Sequence, residues 1–153
     1  CMLDGKHVSW LPSYGPEMRG GTANCSVIVS DEDVASPMVD KADVVVAMNS
    51  PSLDKFEQHV RPGGVLVINS SIIDRKSVRD DVTVVYCDAM KIAEQVGNPK
   101  GANVAILGAM LEKVPVVDTE KMVEAIRIEL GERKQKFLEG NKKALFAGME
   151  AAK

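Results

Sequence analysis

The sequence predicts an α/β protein in which helices cover both faces of a mostly parallel sheet. Three features indicate this class: short β-branched apolar runs early in the chain, one strand–helix–strand unit, and a helix-rich second half. The apolar runs are continuous, which is typical of strands covered on both faces. A chain of 153 residues has the size of one domain. We therefore expect a single-domain three-layer sandwich spanning residues 1–153.

Five apolar runs are predicted to be strands. They are HVSWL at 7–11, CSVIVS at 25–30, DVVVAM at 43–48, GVLVIN at 64–69 and VTVVYC at 82–87. The third and fourth runs flank a helix, and this unit builds parallel sheets with right-handed crossovers. Acidic residues around a potential turn in SDEDVASP, at 30–37, suggest that the second run is antiparallel. The sheet is therefore expected to be mixed, in a Rossmann-like arrangement.

The chain begins with CMLDGK, which resembles the end of a helix followed by a C-cap glycine. A doubly wound domain normally opens with a strand, a glycine-rich turn and a helix. This first βα unit, on the order of thirty residues, is therefore expected to be missing from the sequence.

The helix after the third strand is expected to begin at Ser50, whose hydroxyl would cap it, with Pro51 in its first turn. It is expected to end near Val60, before RPGG at 61–64. Small residues in the helix at 102–111, Ala105 and Gly108 among them, favour close approach of another backbone. The other helices are predicted at 89–96, 119–130 and 132–151. The last one carries an apolar stripe that is expected to dock on the sheet, formed by Phe137, Leu138, Leu145 and Met149.

The composition argues against several classes of function. A net charge of −3 does not suit a general nucleic-acid-binding protein, and aromatic residues, at 4%, are too few for a base-stacking surface. No apolar run approaches the ~18 residues of a membrane helix and no signal peptide is recognisable, so a cytoplasmic protein is expected. The three cysteines lack the spacing of disulfide, zinc or iron–sulfur sites. Cys25 and Cys87 are expected to be small buried hydrophobes, and no residue is predicted to be catalytic or to bind a metal.

The segment SYGPEMRGG at 13–21 is a candidate binding site. Pro16 fixes its own φ, and the paired glycines that follow Arg19 can reach left-handed conformations that other residues resist. Backbone N–H groups in such turns form anion sites, and Arg19 adds a forked donor suited to a phosphate or a carboxylate. In the alternative interpretation Glu17 pairs with Arg19, and the glycines only permit a tight surface turn. The candidate residues are Tyr14, Gly15, Pro16, Glu17, Arg19, Gly20 and Gly21.

Polar residues also follow two of the predicted parallel strands at their carboxyl ends. Asn49 and Ser50 follow the third strand, and Asn69 and Ser70 end the fourth. Ligands of open α/β sheets bind outside the carboxyl ends of the strands. These four residues are therefore added to the candidate ligand-binding set.

The stretch WLPSYGPEMRGGTANCSVIVSD, at 10–31, resembles the signature of the gamma subunit, or gamma domain, of 2-oxoacid:ferredoxin oxidoreductases. The similarity continues through VDKADVVVAMNSPSLDKF at 39–56, RPGGVLVINSS at 61–71 and GNPKGANVAILGAML at 97–111, and ends with the pattern of Asn141, Ala144 and Gly148. It covers nearly the whole chain, although the G-x-G-G-Q-G turn of the family is absent. Within the family the sequence is most similar to the 2-oxoglutarate enzymes, followed by the pyruvate and branched-chain 2-oxoacid enzymes.

Members of this family oxidatively decarboxylate a 2-oxoacid with coenzyme A and pass the electrons to ferredoxin. The resemblance implies that thiamine diphosphate, Mg and iron–sulfur clusters are held by partners, namely the thiamine-bearing alpha and beta subunits and a ferredoxin-like subunit or ferredoxin. It implies a gamma-type catalytic domain that takes part in assembly, with coenzyme A as the candidate ligand of the residues named above. Separated from these partners, the chain is expected to self-associate as a homodimer.

Two other functions stay open at the level of the sequence. One is a free-standing Rossmann-like domain that binds a nucleotide or coenzyme A, although the chain lacks G-x-G-x-x-G and the acidic residue about twenty positions beyond it. The other is a scaffold without a ligand, which differs from the gamma-type component only in the role of Arg19 and its glycines.

Overall fold

The computed structural model describes residues 1–13 and 23–153, and within them one α-helix lies between the third and fourth strands while the other α-helices follow the last strand. The strands are β1 (His7–Ser13), β2 (Asn24–Ser30), β3 (Ala42–Ala47), β4 (Val60–Asn69) and β5 (Thr83–Cys87). The α-helices are α1 (Ser50–Phe56), α2 (Ala89–Gln95), α3 (Ala102–Lys113), α4 (Thr119–Leu130) and α5 (Leu138–Ala151). Short 3-10 helices lie at Met2–Asp4, Glu57–His59 and Glu132–Phe137. The first of them ends at Gly5 with φ 75°, the C-cap glycine expected from the sequence.

Strands β3, β4 and β5 form a parallel sheet in that order. The strand–helix–strand unit predicted from the sequence is therefore confirmed. Leu66 and Ile68 of β4 pack on one face of the sheet with Leu53 of α1. Val67, between them, packs on the other face with Ala105 of α3. Because helices cover both faces, the predicted three-layer α/β arrangement is also confirmed.

The predicted single mixed sheet is corrected by the pairing of the first two strands. β1 and β2 are antiparallel, as the second strand was expected to be, but they form a separate two-stranded sheet. Their register runs from His7 opposite Ser30 to Ser13 opposite Asn24. We refer to β1 and β2 together as the ribbon. None of the residues in these two strands is buried.

The N-cap residue of helix α1 is Asn49, one residue earlier than the sequence suggested. The side chain of Asn49, not the hydroxyl of Ser50, accepts a hydrogen bond from the backbone N–H of Ser52 at 2.9 Å. The helix also stops before Val60, which already belongs to β4. RPGG at 61–64 therefore lies in the strand. Val60 pairs with residue 42 and Val65 pairs with residue 44, so β4 holds extra residues between these two pairs, as in a β-bulge.

The last helix packs on α3 rather than directly on the sheet, which corrects the expected docking surface. A Cβ added at Gly108 would lie 2.0 Å from the carbonyl oxygen of Leu145, and one added at Gly148 would lie 1.8 Å from that of Ala105. The two backbones therefore approach as closely as the small residues of α3 predicted. Phe137 of the expected stripe is 50% exposed, whereas Leu145 is fully buried.

The helices are short relative to a lipid bilayer. Among the residues that the structure describes, none of the helices combines the length and the hydropathy that a bilayer-spanning segment needs.

Candidate functional site

The candidate site lies at the carboxyl edge of the parallel sheet, where β3, β4 and β5 end side by side. The parallel register brings Ala47 opposite Ile68, and Asn69 opposite Cys87. Asn49 and Ser50, after β3, and Asn69 and Ser70, at the end of β4, are therefore placed along one edge, as the sequence predicted. Their side chains differ in what they contact.

Asn69 ties the ends of two strands together. Its side chain is 1% exposed, and its Nδ2 donates to the carbonyl oxygen of Met48, which follows β3, at 3.4 Å. Its Oδ1 accepts from the backbone N–H of Ser71 at 3.3 Å. Both ends of the amide thus have a partner within the protein, and Asn69 shapes this edge of the sheet.

Asn49 and Ser50 belong to the start of α1. Because the side-chain oxygen of Asn49 caps the helix, it serves the backbone N–H of Ser52. Asn49 is exposed and Ser50 is half-buried. Asn49 therefore fixes the start of the helix at the edge of the sheet, and both residues keep part of their surface open to solvent.

Ser70 is the predicted strand-end residue that faces open space. It is exposed, and its backbone N–H donates to the carbonyl oxygen of Cys87 at 2.9 Å, which links the ends of β4 and β5. Ser70 lines a cavity of about 320 Å³. The other residues around this cavity are Ile73, Asp74, Arg75, Lys76 and Tyr86.

The loop between β4 and β5 is held by a buried carboxylate that the sequence did not single out. Glu57 is 3% exposed, and its oxygens accept hydrogen bonds from Ser77 Oγ at 2.6 Å, Val78 N at 2.9 Å and Arg75 Nη2 at 3.0 Å. Burial raises the pKa of Glu57, but the hydrogen bonds from Ser77 and Arg75 outweigh it and hold that pKa below its usual value. Arg75, which also contacts Asp54, is fixed beside the cavity with its charge balanced.

A second unpredicted pair joins the loop to α2. Ser71 Oγ donates to Asp88 Oδ1 at 2.6 Å and accepts from the backbone N–H of Met90 at 2.9 Å. Asp88 also caps α2 through Lys91 N, at 3.4 Å. An aspartate directly before a helix is a recognisable capping signal, so Asp88 could have been found from the sequence, whereas its bond to Ser71 depends on tertiary structure.

The cysteines divide into one buried thiol and two that are accessible. Burial, and then the neighbouring Asp88 carboxylate, raises the pKa of Cys87 to about 11. Cys87 is therefore an inert core residue, as expected. Cys25 is exposed and Cys1 is half-buried, so the expectation of a buried Cys25 was wrong. Cys25 lies in the ribbon, whose two strands hold no buried residue in the described part of the chain.

The candidate loop residues lie outside the described part of the chain. Tyr14, Gly15, Pro16, Glu17, Arg19, Gly20 and Gly21 fall between Ser13 and residue 23, so their predicted role stays a prediction. The structure does place residues on both sides of the segment, since Ser13 pairs with Asn24 at the end of the ribbon. In residues 1–13 and 23–153, no group of three or more histidine, cysteine or acidic side chains could hold a metal ion.

The pattern formed by Asn141, Ala144 and Gly148 has a packing role in the structure. Asn141 Oδ1 accepts a hydrogen bond from Asn98 Nδ2 at 3.0 Å, which joins the start of α5 to the loop before α3. Ala144 is fully buried, and Gly148 allows the close contact with α3. The three residues that end the sequence pattern therefore hold α5 in place.

The comparisons with known proteins agree with one another. The family model described as pyruvate ferredoxin/flavodoxin oxidoreductase matches residues 1–151. The ketoisovalerate oxidoreductase subunit VorA of Methanothermobacter marburgensis is 40% identical over 151 residues, a match that covers 98% of this chain and 31% of VorA. The chain therefore spans about a third of the length of this relative.

Two further relatives are covered more completely. The 2-oxoglutarate synthase subunit KorC of Methanocaldococcus jannaschii is 32% identical over 128 residues, which is 82% of this chain and 68% of KorC. The crystal structure of a keto/oxoacid ferredoxin oxidoreductase gamma subunit from Geobacter sulfurreducens superposes with a TM-score of 0.80 at 32% identity. That superposition covers 99% of this chain and 83% of the other chain.

Proposed function

The chain belongs to the pyruvate ferredoxin/flavodoxin oxidoreductase family, and from this premise we propose that it is the gamma-type component of a 2-oxoacid:ferredoxin oxidoreductase. The match over residues 1–151 carries the proposal, and the gamma subunit structure supports it through the shared fold. The enzyme would oxidatively decarboxylate a 2-oxoacid, transfer the acyl group to coenzyme A and pass the electrons to ferredoxin. Residues 1–153 would form one gamma-type domain that acts in the cytoplasm.

In the proposed enzyme, partner polypeptides carry out the redox chemistry. Alpha and beta subunits would hold thiamine diphosphate and Mg, and iron–sulfur clusters would carry electrons to ferredoxin. The names of the relatives support a multi-subunit enzyme, since VorA and KorC are each called a subunit. The alternative of a free-standing nucleotide-binding or coenzyme-A-binding domain is not favoured for the same reason.

Coenzyme A is the proposed ligand of this chain, and its phosphates suit two places in it. Arg19 and the neighbouring glycines offer a forked donor and backbone N–H groups in the segment that joins β1 to β2. Ser70 and Lys76 offer a hydroxyl and an ammonium group at the cavity beside the carboxyl edge of the sheet. Asn69 has both ends of its amide engaged, so we assign it a positioning role.

A kinetic comparison tests the role of Arg19 in the assembled enzyme. Arg19→Ala should raise the KM for coenzyme A by roughly tenfold or more, because a charge-assisted contact to a phosphate is lost. The matched control is Arg133→Ala, which removes an exposed arginine in a 3-10 helix far along the chain. An unchanged KM for coenzyme A in the Arg19 variant would remove that residue from the site.

The substrate is proposed at the level of the 2-oxoacid class. Relatives named for ketoisovalerate and for 2-oxoglutarate both match nearly all or most of the chain. The resemblance noted in the sequence favours 2-oxoglutarate. Rates of ferredoxin reduction with 2-oxoglutarate, ketoisovalerate and pyruvate, measured on the same preparation with coenzyme A, decide among them.

A further inference from the structure

The start of the last helix carries a block of lysines. Lys134 and Lys136 lie in the 3-10 helix before α5, and Lys142 and Lys143 lie in the first half of α5. We refer to residues 134–146 as the lysine segment. It holds four lysines and one acidic residue, Glu139, so its net charge is +3. The whole chain carries −3, which leaves −6 on the remaining residues.

The charges of the lysine segment are not balanced within the fold. All four lysines are exposed. Among the residues that the structure describes, none of their ammonium groups lies within ion-pair distance of a carboxylate, whereas Lys6, Lys121 and Lys153 each pair with one. Glu150, which follows the segment, is the partner of Lys153. The segment therefore presents a positive field that reaches about 8 Å into a physiological salt solution.

Two exposed aromatic rings accompany these lysines. Phe137 is 50% exposed and Phe146 is 46% exposed. The ammonium group of Lys136 lies 5.1 Å from the centre of the Phe137 ring. Phe146 follows Lys142 by four residues and Lys143 by three, so all three are neighbours on the surface of α5. Since aromatic residues are enriched in protein interfaces, the rings offer a small contact area beside the charges.

The composition of the segment favours a protein that binds briefly. Lysine is depleted from the cores of stable interfaces, and holding its long side chain still costs rotamer entropy. Complementary charges mainly raise the rate of association. Weak electron-transfer encounters use small interfaces. A charged segment with two exposed rings therefore fits a transient encounter with an acidic protein better than a permanent contact between subunits.

The remaining charge of the chain argues against a larger polyanion. A nucleic acid or an anionic membrane extends beyond a segment of this size and meets the rest of the chain, which carries −6. A small acidic protein can contact the lysine segment alone. The charge distribution therefore favours a protein as the occupant.

The lysine segment lies apart from the candidate ligand-binding edge. The helix α2 starts after β5, at the carboxyl edge of the sheet, and its seven residues span about 10 Å. Asn98, beyond the end of this helix, donates to Asn141 in the lysine segment. The start of α5 is therefore anchored at the far end of α2, away from that edge.

We propose that the lysine segment is the docking surface for the acidic electron-carrier protein of the enzyme, a ferredoxin. This inference rests on the proposed function, in which the carrier must dock oxidised and leave reduced on every turnover. The electrons come from clusters in partner subunits, and this chain only attracts and orients the carrier. Its four lysines face the carboxylates of the carrier, and Phe137 and Phe146 contact the surface between them.

Steady-state kinetics of the assembled enzyme test the docking surface. Lys142→Gln combined with Lys143→Gln should raise the KM for an acidic ferredoxin by roughly threefold or more at low ionic strength, because half of the lysine charge is lost. Added salt should raise the KM of the wild type steeply and that of the variant less. The rate with methyl viologen, a small cationic acceptor that gains nothing from a basic surface, should stay the same.

The matched control is Lys91→Gln combined with Lys113→Gln. These lysines are exposed on α2 and α3, outside the segment, and the change in net charge is identical. The control should leave the KM for ferredoxin unchanged. Equal KM values in both double variants contradict the inference, and so does a loss of rate that is the same with ferredoxin and with methyl viologen. Retention on anionic vesicles or RNA that only the Lys142 and Lys143 substitutions abolish, with unchanged ferredoxin kinetics, would assign the segment to a polyanion.

Cross-linking provides a measurement that does not depend on turnover. A carbodiimide joins lysine amines to carboxylates that are in contact, and the products formed between the assembled enzyme and ferredoxin are mapped by mass spectrometry. The inference predicts cross-links at Lys134, Lys136, Lys142 or Lys143. Cross-links confined to other lysines of this chain or to other subunits would overturn it. If the wild-type assembly reduces no ferredoxin with any 2-oxoacid, the proposed function fails, and the cross-links still report separately on docking.

Discussion

Replacing Gly148 with alanine should destabilise the protein more than its helical position suggests. A Cβ at this position would lie 1.8 Å from the carbonyl oxygen of Ala105, whereas ordinary contact begins at 3.4 Å. The helices α3 and α5 would have to separate by about 1.6 Å along that line. Since the obstacle is backbone, it cannot rotate away as a side chain could.

The expected cost follows from two opposing effects. Alanine gains about 1 kcal/mol over glycine in a helix interior. Overpacking of a close contact costs about 1–3 kcal/mol and sometimes more, and here it disturbs the whole contact between two buried helices. With the overpacking cost at the upper end of that range, we expect Gly148→Ala to lower the free energy of unfolding by about 2 kcal/mol, measured by urea denaturation followed by circular dichroism.

Gly140→Ala is the matched control in the same helix. A Cβ there would lie 3.3 Å from Asn98 Cβ, so only a side chain has to give way, by a few tenths of an ångström. Gly140→Ala should change the free energy of unfolding by less than about 1 kcal/mol in either direction. If Gly148→Ala is as stable as the wild type, or as mild as Gly140→Ala, the close approach of the two helices is refuted.

The other structural predictions concern a buried thiol and a buried carboxylate. At neutral pH a thiol reagent should modify exposed Cys25 quickly and Cys87 only after unfolding, as read by mass spectrometry of peptides; comparable rates would contradict the burial. The pKa of Cys87 is about 11 in the folded protein and about 8.5 in the unfolded chain. Its contribution to the free energy of unfolding is therefore fully present below the lower of these two pKa values. Stability should then fall as pH rises towards the higher value, by about 3 kcal/mol at most, and Cys87→Ala should remove this slope. Glu57→Gln should cost about 2–3 kcal/mol at neutral pH, since charged hydrogen bonds are lost, while Asp54→Asn, at a more exposed site, costs under ~1 kcal/mol. The folded pKa of Glu57 is lowered, so its advantage over the glutamine variant should shrink as pH falls through the acidic range; a constant difference in urea midpoints would count against the network.

The parallel core could be predicted from the sequence because its signals are local and consistent. Continuous β-branched runs, a proline in the first turn of α1 and the spacing of the strand–helix–strand unit all point to the same arrangement. The close approach of another backbone to α3 was also foreseeable, although that backbone proved to be α5, which the sequence placed on the sheet. Glycines and alanines at matching positions leave room for a second backbone.

The errors have physical causes in medium-range structure. The sequence predicts one continuous α-helix over 132–151, with Phe137 on its apolar stripe. In the structure residues 132–137 form a 3-10 helix, which has a different rotation per residue. Phe137 therefore lies off the buried face and is exposed. The end of α1 was placed too late because RPGG was interpreted as a stop for a helix. In the structure this stretch is accommodated as an irregularity within β4.

The candidate site was predictable in position but not in the roles of its side chains. Asn49, Asn69 and Ser70 can be selected directly from the sequence, because they lie at strand ends and parallel strands finish at one edge of the sheet. Whether an asparagine binds a ligand or a neighbouring carbonyl depends on what folds next to it, as Met48 does for Asn69. The anchoring of the loop by Glu57 likewise joins residues about twenty positions apart.

The gamma-type role is tested most directly by omission. The remaining subunits of the oxidoreductase are prepared with and without this chain, and reduction of ferredoxin is measured with a 2-oxoacid and coenzyme A. The proposed function predicts that turnover is lost without the chain and restored when the purified chain is added back. Undiminished turnover in its absence would contradict the proposal.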